Sequence, residues 1–126
     1  MYSDYKITAN TLKANNFEVN FEYNIKDAKY WDGIYVVLLN VPKGINEFDN
    51  IYGVNSEGKV IWRIQNPIEA FAIDKNEQGY NYIASSIYVH ITLSPNGIFT
   101  AITFFAMKYT FDFKTGKLLT KEVGRW

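Results

Sequence analysis

The stretch Ile87-Tyr88-Val89-His90-Ile91-Thr92-Leu93-Ser94-Pro95-Asn96-Gly97-Ile98, continued to Val123, decides the fold class. It reads as four short strands in a row: Ile87–Leu93, Ile98–Ala106, Lys108–Phe113 and Lys117–Val123. β-branched and aromatic residues dominate these runs, as a pleated and largely buried surface requires. The connectors Ser94-Pro95-Asn96-Gly97 and Lys114-Thr115-Gly116 are turn sequences. Pro95 pre-sets φ, while Gly97 and Gly116 accept positive φ without steric cost.

Working back towards the N-terminus, Phe17, Val19, Phe21, Tyr23 and Ile25 alternate with Glu18, Asn20, Glu22 and Asn24. That period of two predicts a half-buried antiparallel strand. Lys26–Gly33, with Tyr30-Trp31-Asp32, reads as a polar connector. Ile34–Asn40 reads as a strand at a sheet centre, ended by Val41-Pro42-Lys43-Gly44 because proline cannot donate to a ladder. Ile45–Asn50 reads as a loop. Ile51–Val54 and Lys59–Ile64 form a hairpin across Asn55-Ser56-Glu57-Gly58. Tyr5, Ile7 and Ala9 suggest a strand, and Asn10–Ala14 fits a helical turn or a loop. Residues 68–85 leave strand, helix and loop open. The expectation is one all-β domain over residues 1–126, with antiparallel meanders of about 8–10 strands. Two meanders would pack face to face as an open sandwich or partial propeller, with a small closed barrel as the alternative.

Composition narrows the function classes. The chain has no cysteine and one histidine. Disulfides, thiolate zinc sites, thiol catalysis and His-rich metal sites are thereby excluded. The polar N-terminus has no apolar signal core, and a cytoplasmic location is expected. Ile34–Leu39 is far too short to span a bilayer. Thirteen basic and 13 acidic residues give a net charge of zero, which argues against direct nucleic-acid binding. Acidic residues crowd residues 46–77, where Glu47, Asp49, Glu57, Glu69, Asp74 and Glu77 face Lys59, Arg63 and Lys75. Such a patch steers a basic partner.

Two hairpins look alike. Tyr52-Gly53-Val54-Asn55-Ser56-Glu57-Gly58-Lys59-Val60-Ile61-Trp62 parallels Tyr109-Thr110-Phe111-Asp112-Phe113-Lys114-Thr115-Gly116-Lys117-Leu118-Leu119, 57 residues later. Asn55 or Asp112 bonds the turn backbone, and the glycine supplies the left-handed position. That spacing makes each hairpin the outer pair of a four-stranded unit. The pair resembles the repeat of quinoprotein-type β-propellers, whose blades carry a similar Tyr–Asp–Gly-Lys–Trp hairpin. The quinone-binding residues have no counterpart here, and two units cannot close a propeller of about four blades or more.

The small size, the Asp49–Tyr52 and Glu57–Trp62 motifs and the strand-rich end with Asp112–Lys117 also resemble bacterial immunity proteins, including those of contact-dependent growth inhibition. The resemblance implies a cytoplasmic protein that binds one cognate toxin domain, often a nuclease, and occludes its active site. From the residues themselves, no cofactor, no metal, no catalysis and no membrane association are expected. The neutral net charge departs from the acidic nuclease inhibitors.

His90 is a general base only with an orienting carboxylate. Strict alternation groups it with Tyr88 and Thr92, opposite Val89 and Ile91, as a sheet-face residue. A Walker loop, a dinucleotide fingerprint and a nucleophile elbow are absent, and Asn55–Gly58 lacks the ligands of a calcium loop. Trp62 reads as core, and Trp31 as an exposed loop residue. Exposed aromatics beside acids suit a protein hot spot. Trp31, Glu47, Asp49, Asp74, Glu77 and Tyr80 are therefore the contact candidates for a toxin domain. The rival reading is a small-ligand-binding domain with a Tyr- and Phe-lined cavity between sheets.

Overall fold

A computed structural model describes residues 5–14, 16–42, 49–65, 87–104 and 107–123. These residues build eleven strands: β1 (Tyr5–Thr8), β2 (Thr11–Ala14), β3 (Phe17–Asn20), β4 (Ile25–Trp31), β5 (Ile34–Leu39), β6 (Ile51–Asn55), β7 (Val60–Arg63), β8 (Tyr88–Ser94), β9 (Ile98–Thr103), β10 (Met107–Asp112) and β11 (Leu118–Val123). They form three antiparallel meanders, β1-β2-β3, β4-β5-β6-β7 and β8-β9-β10-β11. The described residues are all-β, and their sheets do not close into a barrel. The count is one strand above the expected range, and a third meander joins the expected two. The elements beyond the expectation are β2, where the sequence fits a helical turn or a loop, and β4, which replaces the expected connector; β1 matches the strand that Tyr5 and Ile7 suggest. The pairs β6–β7 and β10–β11 are the outer halves of four-stranded sheets, as the repeat spacing requires.

The middle sheet is the central layer. Every residue of β5 is buried. Ile34, Val36 and Leu38 pack with Tyr88, Ile91, Phe99, Tyr109, Phe111 and Phe113 of the C-terminal sheet. Tyr35, Val37 and Leu39 pack with Leu12 and the half-buried Tyr5, Phe17 and Val19 of the N-terminal sheet. A strand covered on both faces has no polar side, which is why Ile34–Leu39 reads as an unbroken apolar run.

The expected strand over residues 17–25 divides. β3 stops at Asn20, where the Phe21 amide donates to the Asn10 carbonyl at 2.9 Å, and Ile25 opens β4 in the next sheet. The inward alternation of Phe17, Val19, Phe21, Tyr23 and Ile25 nevertheless survives across the crossover. Both of its ends face the same N-terminal seam, so one alternating run serves two strands.

A second correction concerns β8. Its register moves from Tyr88↔Thr103 to His90↔Ile102, leaving Val89 as a bulge. Tyr88 and Ile91 therefore both face the core, while His90 and Thr92 are exposed. An extra residue on one strand reverses the facing of everything before it.

The turns follow the sequence. Asn55 Oδ1 accepts from the amides of Glu57 (2.9 Å) and Lys59 (3.0 Å), and Asp112 Oδ1 accepts from the Lys114 amide at 2.8 Å. Gly58 and Gly116 take φ of 83° and 71°. Asp74–Gly79, Tyr80–Tyr82 and the rest of residues 66–86 lie outside the described residues.

Candidate functional site

The two seams differ in closure. Between the middle and C-terminal sheets the core is mostly fully buried, with only Trp31, Trp62 and Leu118 partly covered. Its rings interlock: Phe99 stacks on Phe111 at 5.3 Å and 21°, and Tyr88 meets Tyr109 edge-on at 6.2 Å. The N-terminal seam is half-covered. Tyr5, Phe17, Phe21, Tyr23, Tyr30 and Tyr52 all remain partly exposed around buried Tyr35. Three strands cannot cover four, so this seam stays the more accessible aromatic surface.

At one end of the half-covered seam, the Phe21 and Tyr52 ring centroids are 5.6 Å apart at 46°. The Arg63 guanidinium carbon sits 5.3 Å over the Tyr52 ring. Tyr52 and Arg63 are cross-strand partners, so the β6–β7 register places cation and ring together. Arg63 Nε donates to the Asp49 carbonyl at 2.7 Å, which fixes the guanidinium from the other side. The cluster sets two partly exposed aromatic rings beside a fixed guanidinium.

Asp49 also adjoins the tight seam. Burial, and then neighbouring Tyr109 and Asp49, push the Tyr88 hydroxyl far above its ordinary value of 10.0. Asn50 is buried and clasps the backbone of Tyr88.

Trp31 is placed elsewhere. It ends β4 rather than lying in a loop, is half-buried, and meets Phe113 at 5.9 Å. Lys114 Nζ is 5.9 Å from its ring and 3.5 Å from Asp32 Oδ2. Trp31 pairs with Ile34, whereas the Leu39 amide donates to the Asn50 carbonyl. Trp31 and Asp49 thus sit at opposite ends of β5, roughly 17 Å apart at about 3.3 Å per residue. The structure does not bring these two candidates into one patch. Glu47, Asp74, Glu77 and Tyr80 lie outside the described residues. Phe21, Tyr52 and Arg63 are not among the contact candidates that the sequence offers. The Tyr52/Trp62 hairpin motif was the available signal, but Arg63 falls one residue beyond it.

His90 is exposed on the outer face of β8, and no described carboxylate hydrogen-bonds it. Among the described residues no group of three or more His, Asp or Glu side chains converges to hold a metal. No helix among them is long and apolar enough to cross a membrane.

The chain is similar in fold to the crystal structure of the computationally designed Ika8 protein, with a TM-score of 0.63 at 12% identity. The match covers 99% of this chain and 36% of the designed one, so this chain spans about a third of its length. No curated protein matches the chain. The resemblances to growth-inhibition immunity proteins and quinoprotein propellers are corrected by these findings. The family matched is a different one, and among the described residues the three sheets form an open stack with no propeller closure. The short turn motifs behind both resemblances recur wherever an Asn or Asp and a glycine close a hairpin. Over residues 2–123 the chain matches the family described as Domain of unknown function (DUF7957), and it belongs to that family.

Proposed function

We propose that this all-β domain is a non-catalytic binding module for a small planar ligand with an anionic substituent. The ligand sits at the open end of the seam between the N-terminal and middle sheets. One observation carries the reading: Arg63 is held over the Tyr52 ring, with Phe21 beside it, on a surface that stays partly exposed. Ligand sites combine apolar and aromatic walls with a few fixed polar groups, and this cluster has both. The tight seam is a poorer candidate because its rings already fill one another's space.

The test is a titration of 15N-labelled protein with benzoate-type fragments and neutral amide analogues. The expected result is selective shifts at Phe21, Tyr52 and Arg63. Binding should weaken about tenfold in Arg63→Gln, equivalent to about 1.4 kcal/mol. Equal binding of the neutral analogues, unchanged affinity in Arg63→Gln, or shifts confined to other surfaces would overturn it.

A further inference from the structure

The N-terminal sheet has three strands and the middle sheet beneath it has four. β1 lies over β4, where Tyr5 Oη donates to the Ala28 carbonyl at 3.0 Å. β3 reaches β5 and β6 through Phe17 on Tyr35 at 5.5 Å and Phe21 on Tyr52. Its start is tied to the β6–β7 turn, where Asn16 Nδ2 donates to the Ser56 carbonyl at 3.3 Å. β7, the fourth strand of the middle sheet, extends past β3, and Phe17 reaches only as far as Gly58 in the turn before it. Val60 and Ile61 of β7 are 48% and 44% exposed. Val60 pairs with buried Val54, so it faces the N-terminal sheet, and the register break at Gly53/Val54 leaves Ile61 as the extra residue. Beside this apolar floor runs the outer edge of β3, which pairs with no other described strand.

We propose that this gap is a strand-addition site, occupied by a short extended segment of another protein that pairs with β3 and rests on Val60 and Ile61. Neighbouring strands lie about 4.8 Å apart and stacked sheets about 10 Å apart, so the overhang of β7 leaves width for one strand. The same overhang excludes a second copy of this chain joined edge to edge through β3. Each copy's β7 would then occupy the space of its partner's middle sheet.

β3 is singled out because its sheet has three described strands and the sheet beneath it has four. Main-chain bonds supply affinity in this mode, and alternate side chains supply specificity. On the outward face Lys6, Lys13 and Glu18 lie in one cross-strand row. The position beyond Glu18 suits a Lys or Arg, because opposite charges directly across a ladder attract. The segment's chemistry follows: two apolar residues, two positions apart, with a basic residue between them. This inference goes beyond the small-ligand reading and uses an adjoining stretch of the same seam, over Val60 and Ile61 and not over the Arg63–Tyr52 pair.

The test uses the whole chain and the probe acetyl-Thr-Val-Lys-Val-Thr-amide, followed by amide hydrogen exchange. Alternate amides within Phe17–Asn20 should exchange about tenfold more slowly with peptide in excess. A peptide N-methylated at its edge-pairing amides should give no protection. The variants Val60→Thr with Ile61→Thr, which keep strand propensity, and Glu18→Lys should each weaken binding about tenfold. No protection at millimolar peptide, equal protection by the N-methylated peptide, or protection confined to other edges would overturn the proposal. So would protection of β3 that rises with protein concentration alone, since that would mark self-association. Failure of benzoate binding at Phe21 and Arg63 would leave these readouts unaffected, so the two readings fail separately.

Discussion

Asn50 uses its side-chain amide as a strand would use its backbone, and its partner is Tyr88, 38 residues away. Asn50 Oδ1 accepts from the Tyr88 amide at 3.0 Å, and Nδ2 donates to the Tyr88 carbonyl at 2.9 Å. The same Nδ2 donates to the Leu39 carbonyl at 2.8 Å, while the Asn50 backbone carbonyl accepts from the Leu39 amide at 2.9 Å. One buried residue thus pairs with the middle sheet and pins the first strand of the next. Gln65 repeats the device further out: its amide donates to the Gly116 carbonyl at 3.0 Å, and its Oε1 accepts from the Leu118 amide at 2.8 Å.

Replacing Asn50 by alanine should cost about 3 kcal/mol, because three buried backbone groups lose their side-chain partner. Urea denaturation followed by circular dichroism measures it. Asn50→Asp should be at least as damaging, since an acceptor would then face the carbonyls of Leu39 and Tyr88.

Trp62 should couple to two glycines from different sheets. A Cβ on Gly53 would overlap the Trp62 indole, and a Cβ on Gly116 would lie 2.6 Å from Trp62 Cδ2. Its ring stacks on Phe99 at 5.9 Å and 10°, so it has little room to retreat. Gly53→Ala, at ordinary strand φ, should cost about 2 kcal/mol from overpacking alone. Trp62→Leu should relieve part of that, giving a coupling of about 1 kcal/mol in a double-mutant cycle. Gly33 is the control. It has φ of 85° but open space around its Cβ position, so Gly33→Ala should cost only the left-handed backbone term of about 1 kcal/mol.

Alkaline pH should destabilise the fold in a definite window. Burial raises the Tyr88 hydroxyl above 10.0, and burial with nearby Asp27 and Tyr35 raises Tyr5. A raised folded value means the folded chain holds protons that the unfolded chain releases. Stability is therefore complete below pH of about 10 and falls as pH rises beyond it. Melts between pH 8 and about pH 11 should show this loss, and Tyr88→Phe should flatten it.

The charged pair at the tight-turn end should matter little. Lys114 and Asp32 have side chains 58% and 62% exposed. Lys114→Ala should change stability by less than about 1 kcal/mol, even with its ring contact to Trp31. Trp31→Ala should cost more, about 2 kcal/mol, because it empties the space between Phe113 and Gly97. Thermal melts of the two variants rank them.

The sequence alone determined the local elements whose physics is local. The period of two over residues 17–25, the unbroken apolar run of β5 and the Asn55–Gly58 and Asp112–Gly116 turns each state a constraint that any tertiary setting must respect. The 57-residue repeat likewise announced two four-stranded sheets. Tertiary structure decided what depends on distant partners. β4 is a strand because β5 supplies its ladder, although Lys26, Asp27 and Lys29 make it look like a connector. The bulge at Val89 turns Tyr88 inward only because Asn50 waits there to receive its backbone. Phe21, Tyr52 and Arg63 converge across two sheets, and the edge of β3, unpaired among the described strands, stands out only by comparison with the four strands beneath it. Period and turn chemistry act over a few residues, whereas a seam, a gap or a clasp is a relation between surfaces that no single stretch of chain contains.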